Sequence, residues 1–211
     1  MNLMFKRQLA GASLVFLLVG NAALAQEDDY ARMLAYLATD TRIEGNAFAG
    51  ASGAIAVNQA AGDLNIQANA RALANGGQAS SAIDLRQRRG GDIANSPLHA
   101  TATLGGSALA NASGIASINQ ASGSANAELN SVIATLATQG IREASDEAMA
   151  SPDALASAGE QYVISDPRAT RRVGVEATAL RGFEGVLQLN QIAGSGNTAE
   201  NHLGISVQGN P

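Results

Sequence analysis

The chain has 211 residues, is 46% hydrophobic but only 3% aromatic, and carries a net charge of −5 with no cysteine and no tryptophan. The missing cysteines exclude a disulfide framework and thiol chemistry. The acidic balance argues against nucleic acid or an anionic membrane as the main partner, because both recruit basic surfaces.

From the N-terminus, Lys6 and Arg7 precede an apolar run from Leu9 to Val19, and Ala23-Leu24-Ala25 supplies small residues before Gln26. This is the pattern of a secretory signal peptide over 1–25. The run is too short to read as a bilayer-spanning helix, so no integral membrane segment is expected after cleavage. Without Lys6 and Arg7 the exported chain keeps 11 arginines and no lysine against 18 acidic groups, a charge of −7. The next segment, 26–44, opens with Glu27, Asp28 and Asp29 and sets Tyr30, Met33, Leu34 and Leu37 at helical spacing. It predicts a short amphipathic helix with acidic residues at its positive end. Such a helix either folds onto the rest or docks an export or assembly factor.

A 17-residue pattern then occurs three times. It first comprises Gly53, Val57, Asn58, Gln59, Gly62, Asn65 and Asn69. It returns as Gly114, Ile118, Asn119, Gln120, Gly123, Asn126 and Asn130, and again as Gly185, Leu189, Asn190, Gln191, Gly194, Asn197 and Asn201. The shared form is G-x3-[VIL]-N-Q-x2-G-x2-N-x3-N, and the copies lie 61 and then 71 residues apart. With flanks they cover 45–74, 107–136 and 179–208, leaving a three-residue tail, 209–211. The intervening stretches, 75–106 and 137–178, read as long flexible spacers: the first rich in Gly, Ala, Ser and Arg, the second polar with Pro152 and Pro167. A rigid unit on elastic spacers implies units that pair with one another.

Inside each unit the period is two. Ile55 and Val57 share one strand face and Ala56 takes the other. Gly62, Gly123 and Gly194 then mark an arc that needs positive φ or close backbone approach. The following asparagines suit turns, since Asn tolerates left-handed φ and bonds its own backbone. The unit therefore reads as strand, arc, strand. A unit of about 30 residues with few large side chains is too small to fold alone. Stacked as rungs about 4.8 Å apart, the units would lay Asn58 over Asn119 and Asn190, and Gln59 over Gln120 and Gln191. A buried amide in such a ladder is satisfied by its neighbours. Polar turns copied by duplication are the alternative, but the copies have diverged elsewhere, and that favours the ladder. The expected fold is mainly β: a three-repeat β-solenoid-like or cross-β stack with flexible spacers and an N-terminal helix.

No catalytic constellation, zinc pattern or phosphate loop is present, and no cofactor or metal is expected. His99 and His202 have no ligand-spaced partner in sequence and read as surface residues, and Arg86, Arg88 and Arg89 read as a solvated loop. An acidic residue follows the arc glycine only at Asp63, with Ser124 and Ser195 in the other copies, so the calcium-binding β-roll pattern is not met. Asp63, Glu128, Glu184 and Glu200 occupy non-equivalent positions and do not line one catalytic face.

Three N-Q-x2-G-x2-N-x3-N kernels, two unequal spacers and a signal peptide resemble the Fap functional-amyloid subunits of Gram-negative bacteria. The resemblance implies export through the periplasm and a dedicated outer-membrane pore, then polymerisation with itself or related subunits into biofilm fibrils at the cell surface. The family's major subunit often carries a C-terminal C-x-x-C pair. This chain has none, which leaves major, nucleating and accessory roles open. The non-amyloid alternative is a monomeric, capped β-helical adhesin that binds a surface ligand.

Overall fold

The computed structural model describes residues 33, 37–77, 79–88, 94–137, 153–157, 163–164 and 166–208. The chain divides into two units, Met1–Leu37 and Ala38–Pro211. Only Met33 and Leu37 are described in the first, both helical. The signal peptide, most of the expected N-terminal helix and the tail 209–211 lie outside the described residues.

The second unit is built from strands, and every pairing between them is parallel. A first coil contains β1 (Ala38–Ile43), β2 (Ser52–Ala61), β3 (Ile66–Gly76), β4 (Asp84–Arg88) and β5 (Ala94–Asn95). A second contains β6 (His99–Leu104), β7 (Ser113–Ser122), β8 (Ala127–Ala137), β9 (Asp153–Ser157) and β10 (Val163–Ile164). A third contains β11 (Thr170–Val175), β12 (Glu184–Ala193) and β13 (Thr198–Gln208). The sheets are β1-β6-β11, β12-β7-β2, β13-β8-β3, β4-β9 and β10-β5, so the second coil lies between the other two. This is the expected solenoid-like stack.

Its coils are larger than the repeat. The register keeps offsets of 61 and 71 residues upstream of the pattern too: Ala38 pairs with His99, and His99 with Thr170. Two expectations change here. The helix expected over 26–44 gives way to strand at Ala38, because Thr39, Thr41 and Ile43 alternate and β6 supplies a hydrogen-bonding partner along the whole segment. The stretches read as flexible spacers also contribute strands: β4, β5 and β6 fall in 75–106, and β9, β10 and β11 in 137–178. Parallel pairing asks only for extended backbone and a partner, so these strands need no shared motif.

The arc falls where the glycines place it, with φ of 114° at Gly62, 125° at Gly123 and 135° at Gly194. Turn chemistry differs from expectation in one respect. The left-handed residues beside the arc asparagines are Leu64, Ala125 and Gly196, at φ of 60°, 64° and 73°, not the asparagines themselves. Asn65, Asn126 and Asn197 follow directly and bond across coils.

Two apolar layers flank the polar arc. Ile43, Leu104, Leu109, Ile55 and Ile118 form the larger one, with Phe48, Val57, Leu180 and Leu189 packed against it, between the β1-β6-β11 sheet with its turns and one face of β2-β7-β12. Ala127 and Leu129 form the smaller, with Ile66, Ala68, Ile83 and Leu85. Fully burying one such Leu or Ile is worth about 1.5–3 kcal/mol. Alanine leaves the rest to the backbone and the ladders.

Candidate functional site: amide ladders and glycine columns

Alternation sends Asn58 to the inside of the arc and Gln59 to the outside, and the register repeats this in each coil. Asn119 Nδ2 donates to Asn58 Oδ1 at 2.9 Å, and Asn190 Nδ2 to Asn119 Oδ1 at 3.0 Å. Gln120 Nε2 donates to Gln59 Oε1 at 3.1 Å, and Gln191 Nε2 to Gln120 Oε1 at 2.9 Å. Asn126 and Asn197 donate to Asn65 Oδ1 and Asn126 Oδ1 at 3.0 and 3.1 Å. Asn130 and Asn201 donate to Asn69 Oδ1 and Asn130 Oδ1, both at 3.0 Å. Four unbroken ladders thus run through the stack.

The ladders are also tied within each coil. Asn69, Asn130 and Asn201 donate across the arc to Asn58, Asn119 and Asn190 at 2.9, 2.8 and 2.7 Å. Gln59, Gln120 and Gln191 reach back to the carbonyls of Arg42, Thr103 and Gly174 at 3.1, 2.8 and 3.2 Å. The glutamines therefore fasten the first strand of each coil to the second. In the middle coil Asn119, Gln120, Asn126 and Asn130 are fully buried, and their bonds offset a desolvation cost of about 1–3 kcal/mol for each amide.

Two glycine columns accompany the amides. A Cβ at Gly123 would sit 2.0 Å from Gly194 O, and one at Gly62 2.4 Å from Gly123 O. A Cβ at Gly114 would sit 2.1 Å from Gly53 O, and one at Gly185 2.0 Å from Gly114 O. Only glycine lets the coils close to hydrogen-bonding distance here. Val57, Ile118 and Leu189 occupy one register column and belong to the apolar layer. All 21 repeat positions are thus brought into seven columns.

Sequence reasoning missed one buried charge position. Gln67, Glu128 and Ala199 form a column inside the arc. The Glu128 side chain is fully buried, accepts a hydrogen bond from Gln67 Nε2 through Oε2, and has no partner at Oε1. Burial pushes its carboxyl up to about 8, against the opposing pull of the Gln67 amide and the Gln120 backbone N–H. The signal was available: Gln67 and Glu128 are equivalent, near-isosteric residues at an inward position.

The remaining singled-out residues lie at the surface. His99 is exposed with Nδ1 2.7 Å from Thr170 Oγ1, and His202 is exposed beside Ser131. Arg86 and Arg88 lie on exposed positions of β4, a strand where a loop was expected, and Arg89 is outside the described residues. Asp63 is exposed at the first arc, Glu184 begins β12, and Glu200 lies on β13 within 3.3 Å of His202. These carboxylates are not brought together.

The fold and its ladders define a class: a parallel β-solenoid whose arcs are lined by stacked identical amides. Within that class the chain belongs to the functional amyloid protein FapB/FapC family, whose model it matches over residues 21–208. No solved structure matches it.

Proposed function

We propose that this chain is an exported structural subunit that self-assembles into extracellular functional amyloid fibrils supporting biofilm or surface adhesion. Assembly proceeds by edge addition: the outer coils present strand edges and amide ladders on which another coil adds. The observation that carries this reading is the continuity of the four ladders through all three coils. A capped monomer gains nothing from carrying identical amides to its outermost rungs, whereas a growing stack does. The partners are other copies or related subunits and, before assembly, the outer-membrane export machinery of a Gram-negative cell. Membership of a structural amyloid family and the dispersed carboxylates both speak against an enzyme.

The test is thioflavin-T kinetics with fibre diffraction on purified 26–211, compared with a variant carrying Gln59→Ala, Gln120→Ala and Gln191→Ala. Sigmoidal growth with a cross-β pattern, slowed several-fold in the variant, is the expected result. Equal kinetics would remove the glutamine ladder from the mechanism. A stable, soluble β-rich monomer would turn the search to the ligand of a capped adhesin.

A further inference from the structure

We propose that the two ends of the stack are unlike and complementary. Copies of this chain then join head to tail, the third-coil face of one taking the first-coil face of the next in continuous column register. The inference rests on the fibril reading and adds a polarity, a register and the residues that meet.

The first observation is the direction of the ladders. In all four columns the second coil's amide N–H donates to the first coil's oxygen, and the third coil's to the second coil's. Backbone carbonyls fix that orientation independently, because a carbonyl can only accept. Gln120 Nε2 also reaches Thr103 O at 2.8 Å, Asn119 Nδ2 reaches Ala68 O at 2.8 Å, and Asn126 Nδ2 reaches Gly194 O at 2.9 Å. The third-coil face therefore shows the side-chain oxygens of Gln191, Asn197 and Asn201, with no donor among the described residues. On the first-coil face Asn65 and Asn69 commit both amide N–H groups within the stack, while Asn58 commits one of its two to Gln67 O and has the other to give. Gln59 commits one of its two to Arg42 O and has the other to give.

The glycine columns carry the same polarity. Each Cβ vector in one column points at the preceding coil, and Gly53, at its end, has nothing within 4 Å. Each vector in the other points at the next coil, and at Gly194 its nearest neighbours are Arg171 Nε at 3.2 Å and Asn197 Nδ2 at 3.4 Å. A copy joined at the first-coil face would fill the space at Gly53 with its Gly185 carbonyl, as Gly53 O does for Gly114 inside the stack. At the other end the Arg171 side chain must swing aside for the next copy's Gly62 carbonyl to reach Gly194.

Side chains agree. Asp40, Thr101 and Arg172 form one column, so a junction sets Arg172 beside the next copy's Asp40. Leu73, Ala134 and Ile205 form another, with Leu73 58% and Ile205 39% exposed at opposite ends. Head-to-tail joining buries the two large side chains against each other. Joining two third-coil faces would set acceptor oxygens against acceptor oxygens. A heterologous contact that does not close also produces an open filament, whereas an isologous one stops at a dimer.

Cysteine cross-linking tests this in a chain that has no native cysteine. Neighbouring rungs lie about 4.8 Å apart, within disulfide reach. Two rungs, the separation of positions 73 and 205 inside one chain, is beyond the roughly 7 Å limit. Fibrils of the double variant Leu73→Cys/Ile205→Cys, oxidised after assembly, should lose their monomer band to a ladder of covalent multimers on a non-reducing gel. Fibrils of either single variant should stay monomeric. Dimers from the Ile205→Cys fibrils alone would overturn the polarity. A second double variant, Asp40→Cys/Arg172→Cys, repeats the test at an exposed column should the first impair assembly. Fibrils in which neither pair cross-links would overturn the register. Failure of the unmodified chain to form fibrils would instead sink the amyloid reading, and this one with it.

Discussion

The middle coil and the outer coils carry the same pattern in different surroundings. Asn119, Gln120 and Asn130 are fully buried, while Asn58 is exposed and Gln59 and Asn69 are half-buried. In the middle coil each amide has a neighbour above and below, so its polarity is a source of cohesion. At the first-coil end the same amide has one neighbouring coil and solvent, while at the third-coil end Asn190 stays buried behind its bond to Asn201. One residue type is thus sealed inside the stack in one place and at an open ladder end in another, and position in the stack decides which.

The hardest break should come from Gly123→Ala. The new Cβ meets a backbone carbonyl at 2.0 Å at a φ of 125°, so the second and third coils must separate. Circular dichroism of the purified chain should show loss of the cooperative β fold. Gly77→Ala, which meets nothing within 4 Å, should be nearly silent. An unchanged Gly123→Ala would mean the coils do not close as described.

The comparison sharpens at the asparagine column. Asn119→Ala leaves Asn58 Oδ1, Ala68 O and the Asn190 amide each short of a partner. Asn58 Oδ1 keeps Asn69, and the Asn190 amide keeps Leu129 O and Asn130 Oδ1. At about 1 kcal/mol for each of these three lost hydrogen bonds, the substitution should cost roughly 3 kcal/mol in urea unfolding of the soluble chain. Asn58→Ala should cost under about 1 kcal/mol there, yet slow fibril growth. Equal costs would erase the distinction between middle and end.

Glu128 adds a pH dependence to the middle coil alone. Its carboxyl is raised in the folded chain to about 8 from an ordinary 4.5, so the folded state holds the extra proton between those values. The stabilisation is fully present below about pH 4.5 and is lost as pH rises through about 8. Glu128→Gln matches the residue at position 67 and should flatten stability across that window. A slope that survives the substitution would place the titration elsewhere. Smallest is His99→Ala at the exposed start of β6, expected to shift stability by no more than about 0.5 kcal/mol in the same unfolding measurement.

Much of this architecture was legible beforehand, and the limits are instructive. The kernel was readable because amide ladders and close-approach glycines demand specific residues at every rung, so the demand survives divergence. The first strand of each coil was not: Ala38–Ile43, His99–Leu104 and Thr170–Val175 share almost no residues, since parallel pairing uses backbone groups common to all. The helical spacing of Tyr30 to Leu37 carried the helix expectation past Ala38, where the partner strand prevails. The left-handed position at Leu64 and Ala125 was hidden because neither residue favours it, and only the arc's closure imposes it.

The sequence by itself determined that three like units stack in register, where each arc turns, and which amides face one another. Those features follow from local rules of period, φ and hydrogen-bond valence. Tertiary structure alone decided how far each coil extends, that Glu128 is sealed between neighbouring rungs, and which way the ladders point. Those are properties of neighbours 61 and 71 residues away. No local pattern encodes the burial or the direction that such distant partners impose.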